Sequence, residues 1–255
     1  MLTVKGKVVN DLVVVGDEGA LWLWIPADAM DAAHTRLDRH VIMDDVSLDR
    51  RDDMEAVLVL DPEWTPPASA DPGALIVRSA SYPATGVWIQ GETGAVAQAL
   101  HGLEELSYDA WTRARVAAGI PAWSNEIVSD VFPPEVGFVD GVSYDKGCFM
   151  GQEPLARIHA RGQVNRVMVR VEVHTDGARL ESLPATLCHE TRQDAGRLTT
   201  VAPALAGETT CTGLAVVRRA FASNGATLTT EAGAGVTVRS GPLGDDHGVD
   251  GRRHG

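Results

Sequence analysis

The order of apolar and polar positions divides the chain near residue 165. Before that point short apolar runs alternate with stretches of helical period; after it every pattern is strand-like. Residues 2–25, LTVKGKVVNDLVVVGDEGALWLWI, give two strands of β-branched and aromatic residues around a turn at 16–19. Met30, Ala33, Leu37 and Val41 then recur at helical spacing, with Pro26 placed for a first turn, and predict an amphipathic helix. A buried-type strand at 56–60, the loop TPPASADPG and two short strands, ALIVRS and GVWIQG, come next. One helix is expected around 92–103. Another is expected over 108–118, with Ser107 as its N-cap and Gly119-Ile120-Pro121 as its stop. Residues 122–145 have little periodicity and read as a crossing segment.

From residue 166 the texture changes. Val167, Val169, Val171 and Val173 alternate with Arg170, Glu172 and His174, and short strands broken by glycine turns continue to about 240. That pattern predicts an all-β module, a small barrel. The closing GPLGDDHGVDGRRHG is polar and glycine-rich and reads as a disordered tail. The expected organisation is therefore α+β: a mixed α/β body over 1–165, a β-barrel over 166–240 and a tail over 241–255.

Composition narrows the function classes. A formal net charge of −13 over 255 residues argues against holding nucleic acid by the general surface, which needs an excess of lysine and arginine. It leaves room for a local basic pocket. Three cysteines, Cys148, Cys188 and Cys211, make no disulfide framework and no zinc-spaced pair, and fit a reducing compartment. The apolar run at 12–15 is too short for a membrane span or a signal-peptide core. A cytoplasmic monomer with no membrane contact is expected.

The candidate chemistry lies in YDKGCFMGQEPLARIHARG, residues 144–162. Cys148 stands near Lys146, Arg157 and Arg161, and neighbouring cations favour the reactive thiolate. Pro154 belongs in a first turn, which places a helix at 154–161 stopped by Gly162, with Arg157 and Arg161 on one face. The loop before it would run into a helix N-terminus that suits an anion or a thiolate. The same residues also admit a plainer reading: an inert buried cysteine, solvated arginines, and glycines that serve only the turn. Cys188 and Cys211 read as packing residues, His159 as a bystander, and the acidic stretches at 44–45 and 49–53 as a solvated edge.

The segment KGCFMGQE, followed by Ala156-Arg157 and Arg161-Gly162, resembles the signature of the YgfZ family. RVAAGIP (115–121), PPEVGF with GVSYDKGC, LTVKGKVVNDL, and GRLTTVAP with GLAVVRR resemble further family segments. These are folate-binding proteins related in fold to the aminomethyltransferase, or T-protein, of glycine cleavage. Their mitochondrial counterparts act in iron–sulfur cluster assembly. The resemblance implies an aminomethyltransferase-like body of α/β subdomains with a C-terminal barrel. It implies tetrahydrofolate as cofactor, iron–sulfur enzymes or assembly proteins as partners, and a link to tRNA modification. By the same resemblance Cys148 would be the reactive or cluster-contacting thiol, and Lys146, Gln152, Glu153, Arg157, Arg161 and Asp11 would contact folate or order the loop.

Two features set the chain apart from the transferases. Cysteine and the glutamine–glutamate pair stand intact in the signature. Ala117 stands where the transferases carry a pterin-holding glutamate. Against the family pattern the chain also starts within the first subdomain, so an incomplete first subdomain is expected. Beside the accessory role, a folate-dependent one-carbon transferase or demethylase and a non-catalytic client scaffold remain open.

Overall fold

A computed structural model describes residues 1–17, 19–43, 45–71, 75–80, 83–138, 141–162, 164–174, 182–205 and 207–244; Asp44 of the acidic stretch and residues 245–255 of the expected tail lie outside them. The chain forms two compact units, Leu12–Glu105 and Met1–Asp11 with the chain from Leu106 onward. Among the described residues no helix is long and apolar enough to cross a membrane.

In the first unit, strands β1 (Val13–Asp17) and β2 (Ala20–Trp24) pair antiparallel around the expected turn. Helix α1 (Met30–Asp38) follows a short 3-10 turn at Ala27–Ala29 and buries Ala33, in the middle of the apolar stripe. Strands β3 (Met54–Val59), β4 (Leu75–Ala80) and β5 (Gly86–Glu92) form an antiparallel sheet in the order β3-β5-β4. Helix α2 (Thr93–Ala99) closes one face, where Val96 and Ala99 pack with Val57, Val77 and Ile89. It ends earlier than the sequence suggests, because the chain turns out through Gly102 at φ +89°.

The second unit holds helix α3 (Tyr108–Ala118), helix α4 (Gln152–Arg161) and the barrel. Ser107 Oγ accepts the Ala110 N–H at 3.2 Å, and Gly119 ends α3 at φ +72°, as the cap residues require. The crossing segment contains one 3-10 turn, Pro133–Val136. The barrel strands are β6 (Arg166–His174), β7 (Ala185–His189), β8 (Arg192–Val201), β9 (Thr210–Arg218), β10 (Thr227–Thr230) and β11 (Gly235–Val238). They close in the order β10-β11-β6-β9-β8-β7. The alternating valines of β6 fill the interior with Leu187, Leu198, Val217 and Val236. The outer face is apolar too: Met168, Leu214 and Val216 pack against Val8, Val116, Ile127, Val131 and Val136.

Both ends of the chain differ from the sequence reading. Residues 1–9 do not run straight into β1. Thr3 O accepts the Gly6 N–H at 2.9 Å, Leu2 bridges to Val8, and Gly6 sits at φ +74°, a conformation that breaks an extended strand. At the other end, residues 241–244 of the expected disordered tail are packed. Leu243 N–H donates to Met168 O at 2.8 Å, and its side chain lies so close to Gly119 that a Cβ there would meet it at 2.9 Å. One apolar residue inside a glycine-rich stretch is enough to anchor it.

A buried ion pair ties helix, crossing segment and barrel together. Arg115 and Glu126 have side chains 3% and 0% exposed and meet at 3.0 Å. Arg115 also donates to Thr200 Oγ1 at 2.7 Å and Ile120 O at 3.2 Å. Glu126 accepts from Ala122 N–H at 3.0 Å and from the hydroxyls of Thr199 at 2.7 Å and Thr200 at 2.6 Å. Neighbouring strand residues ordinarily point to opposite faces. Here the β8–β9 register shifts between Leu198 and Thr200, and this bulge lets both hydroxyls reach one carboxylate.

Removing one member of such a pair strands a buried charge. Arg115→Leu is expected to lower unfolding free energy by about 3–5 kcal/mol in urea titration. Asp53→Asn, which breaks the exposed Arg51–Asp53 pair, is expected to leave the urea midpoint unchanged within error.

Candidate functional site

The loop that carries Cys148 is held at both ends. Before the cysteine, Tyr144 stacks on His159 of α4 with ring centroids 4.2 Å apart and planes at 21°. Burial there pushes the Tyr144 phenol above its ordinary pKa. His159, a bystander on sequence grounds, is therefore a clamp. After the cysteine, Phe149 and Gln152 bond reciprocally: the Phe149 N–H donates to Gln152 Oε1 at 2.9 Å, and the Gln152 N–H donates to Phe149 O at 3.2 Å. Gln152 thus opens α4, two residues ahead of the expected start. Pro154 still falls in the first turn, where its missing N–H costs nothing.

The base of the loop rests on the N-terminal turn. Gly151 has φ +81°, and a Cβ on it would lie 2.5 Å from Thr3 O and 2.7 Å from Gly6 Cα. A Cβ on Gly6 would in turn lie 3.2 Å from Gly151 O and 3.3 Å from Leu155 Cγ. Two backbones touch here because neither residue has a side chain. The turn is itself anchored by Lys7, whose Nζ donates to Asp130 O at 2.8 Å and sits 3.8 Å over the Phe132 ring, near Glu135.

Of the residues singled out from sequence, the structure brings Cys148 and Gln152 together and sets Lys146 over the neighbouring Phe149. The Cys148 thiol is exposed, and Gln152 Nε2 lies 3.9 Å from its sulfur. Lys146 Nζ stands 4.9 Å over the ring of Phe149, next to the cysteine. Arg157 does not turn to the thiol. It pairs with Glu153 one helical turn away, so these two neutralise each other on the exposed face of α4. Arg161 is exposed at the end of the helix, just before the stop at Gly162, φ +65°. Asp11 is half-buried at the end of the N-terminal segment, and its carbonyl accepts from Asn10 Nδ2 at 3.0 Å. The arrangement presents one accessible thiol on a fixed loop. Among the described residues no group of three or more histidine, cysteine or carboxylate side chains could hold a metal ion.

Sequence reasoning missed Arg115, Glu126, Thr199 and Thr200 as one network, and Gly6 and Gly151 as one contact. The first had a signal only in the paired threonines of GRLTTVAP. The second joins segments far apart in the chain and leaves no local trace. Together these contacts bring LTVKGKVVNDL onto KGCFMGQE, and RVAAGIP onto GRLTTVAP.

No family model matches the chain. A tRNA-modifying protein YgfZ of Blochmanniella pennsylvanica is 35% identical over 78 residues, 29% of this chain and 23% of that protein. A mitochondrial iron–sulfur cluster assembly factor IBA57 homolog of Neurospora crassa is 25% identical over 206 residues, 72% of this chain and 46% of that protein. The chain thus spans less than half the length of these curated relatives. The structure of glycine cleavage system aminomethyltransferase T from Bartonella henselae superposes with a TM-score of 0.69 at 17% identity, over 96% of this chain and 74% of that one. The chain is YgfZ-like in sequence and aminomethyltransferase-like in fold.

Gly151→Ala combines a left-handed φ with a backbone clash that neither partner can relieve by a rotamer change. It is expected to cost at least about 2 kcal/mol in urea titration and to raise amide exchange at Gly6 and Lys7. Gly147→Ala, where a Cβ would meet nothing within 4 Å, serves as the matched change in the same loop and is expected to leave both unaltered.

Proposed function

We propose that this chain is a tetrahydrofolate-binding accessory protein of the YgfZ type, which supports iron–sulfur cluster assembly or repair and, through it, tRNA modification. The observation that carries this reading is the exposed Cys148 on a loop fixed by the Tyr144–His159 stack and the Gly6–Gly151 contact. A thiol meant only for packing would be buried. One thiolate is too few to hold a cluster, which takes four protein ligands, so Cys148 acts by contributing to a site shared with a partner. Gln152, 3.9 Å from the sulfur, stands close enough to steer an anion or a sulfur ligand there, and Lys146 lies two residues before the thiol in the same loop. Lys146, Gln152, Glu153, Arg157, Arg161 and Asp11 are the remaining candidates for folate contact or loop order.

Aminomethyl transfer is the weaker reading. At the transferase glutamate position the chain has Ala117, exposed on α3, whose carbonyl accepts from Arg170. The carboxylate of Glu126 offers no replacement, since its oxygens already accept from Arg115, Ala122, Thr199 and Thr200. Folate in this reading is bound without a carboxylate at that position.

Cys148→Ser tests the role of the thiol. In cells lacking the native protein it is expected to lower the activity of iron–sulfur enzymes severalfold, while purified protein keeps its affinity for tetrahydrofolate. Unchanged enzyme activity with Cys148→Ser would remove the thiol from the function. Turnover of a one-carbon donor by the purified protein would favour the transferase reading instead.

A further inference from the structure

Three guanidinium groups converge on one residue at an end of the barrel. Arg192 Nε and Arg218 Nε both donate to the Asp194 carbonyl oxygen, at 3.0 Å and 2.8 Å. Arg218 also pairs through Nη2 with the Asp194 carboxylate. Arg166 stands directly opposite Arg218 in the β6–β9 register, and its charge reaches the same carboxylate. The Arg218 hydrogen bond first, and then the charges of Arg218, Arg166 and Arg192, hold the Asp194 carboxyl below the usual aspartate range.

One carboxylate does not balance this cluster. Arg166 and Arg192 are exposed, and Arg166 makes no side-chain hydrogen bond among the described residues. Arg219, whose Nε donates to Val164 O at 3.0 Å, adds a fourth cation. Among the described strands and turns, the other carboxylate brought to this end is Glu190, exposed in the β7–β8 turn. Like charges set directly opposite each other on paired strands lower stability. The barrel keeps such a pair at Arg166 and Arg218, on its outer face, while the neighbouring Val167 and Val217 fill the interior. An anion bound between the arginines offsets that repulsion.

We propose that this end of the barrel docks an acidic segment of a partner protein, whose carboxylates bind to the guanidinium forks of Arg166 and Arg192. Such forks match carboxylates in bidentate pairs. RNA fits less well, because a phosphate chain needs a basic track and single strands also need open aromatic faces to stack on. Here the cations form one patch in a chain of net charge −13, and the nearby rings of His189 and Phe221 pack on each other with centroids 4.7 Å apart. The inference rests on the reading that Cys148 acts at a site shared with a partner. The cluster follows the C-terminal end of α4 and the Cys148 loop precedes its N-terminal end. That helix is about 15 Å long, a separation that one protein interface of standard size spans.

The test is binding of a labelled oligoglutamate peptide to the full chain, followed by fluorescence anisotropy. Saturable binding that weakens as salt is raised is expected. Arg166→Gln and Arg192→Gln are each expected to weaken it about three- to fivefold. Arg166→Gln is also expected to leave the urea midpoint of the free protein unchanged or higher, since it relieves the repulsion with Arg218. Asp194→Asn removes the internal competitor and is expected to tighten peptide binding, although it breaks the pair with Arg218. Arg51→Gln makes the same change of net charge in the other unit and is expected to bind as the unsubstituted chain does. Absence of saturable binding, or Arg166→Gln binding no worse than Arg51→Gln, would overturn the proposal. Tighter binding of an oligouridylate of equal charge would overturn it too, by making the site one for phosphodiesters. These measurements involve neither folate nor Cys148, so their failure leaves the iron–sulfur reading to the Cys148→Ser test.

Discussion

The Arg115–Glu126 pair is the constraint around which the larger unit is organised. Two charges sealed from water are tolerated only if each is matched and every remaining lone pair and proton is used. That demand reaches into three places at once: helix α3, the crossing segment at 120–126 and barrel strand β8. The β-bulge at Thr199 answers the same demand, because a regular strand would turn one of the two hydroxyls away from the carboxylate. With these elements locked, Val116 and Ile127 join the outer face of the barrel in one core, and Val8 and Val131 pack into it. The turn at residues 3–6 is held by that core, and the cysteine loop is seated on the turn. The cysteine loop is thus linked to the barrel by packed backbone at every step.

This arrangement separates rigidity from exposure. The Gly6–Gly151 contact and Leu155, 0% exposed, fix the base of α4, while Cys148, Lys146 and the polar face of the helix stay in solvent.

Much of the fold could be read from the chain because it rests on local rules. The valine alternation at 167–173 marked the barrel wall, and Ser107 with Gly119 bounded α3 to the residue. Even so, alternation does not show what covers the other face of β6, where Met168 is buried by the second core on the barrel exterior. The Cys148 loop stands out by resemblance rather than by spacing; its residues alone favour an inert cysteine. What could not be read depends on contacts between distant segments: glycine against glycine at 6 and 151, Leu243 against Gly119, Tyr144 against His159, and a glutamine buried in β5 that hydropathy would leave at the surface. Cation spacing also misled, since Arg157 is taken by Glu153 before it can reach the thiol.

The central claim is that the fold presents Cys148, and not merely contains it. Timed alkylation of the native protein with iodoacetamide, read by mass spectrometry at each cysteine, addresses it directly. Cys188 and Cys211 are half-buried in barrel strands, and the Cys188 thiol donates to Gln193 O at 3.1 Å. The result expected is rapid modification of Cys148 with Cys188 and Cys211 lagging until urea unfolds the barrel. Modification of Cys148 no faster than the other two in the native state would contradict the account.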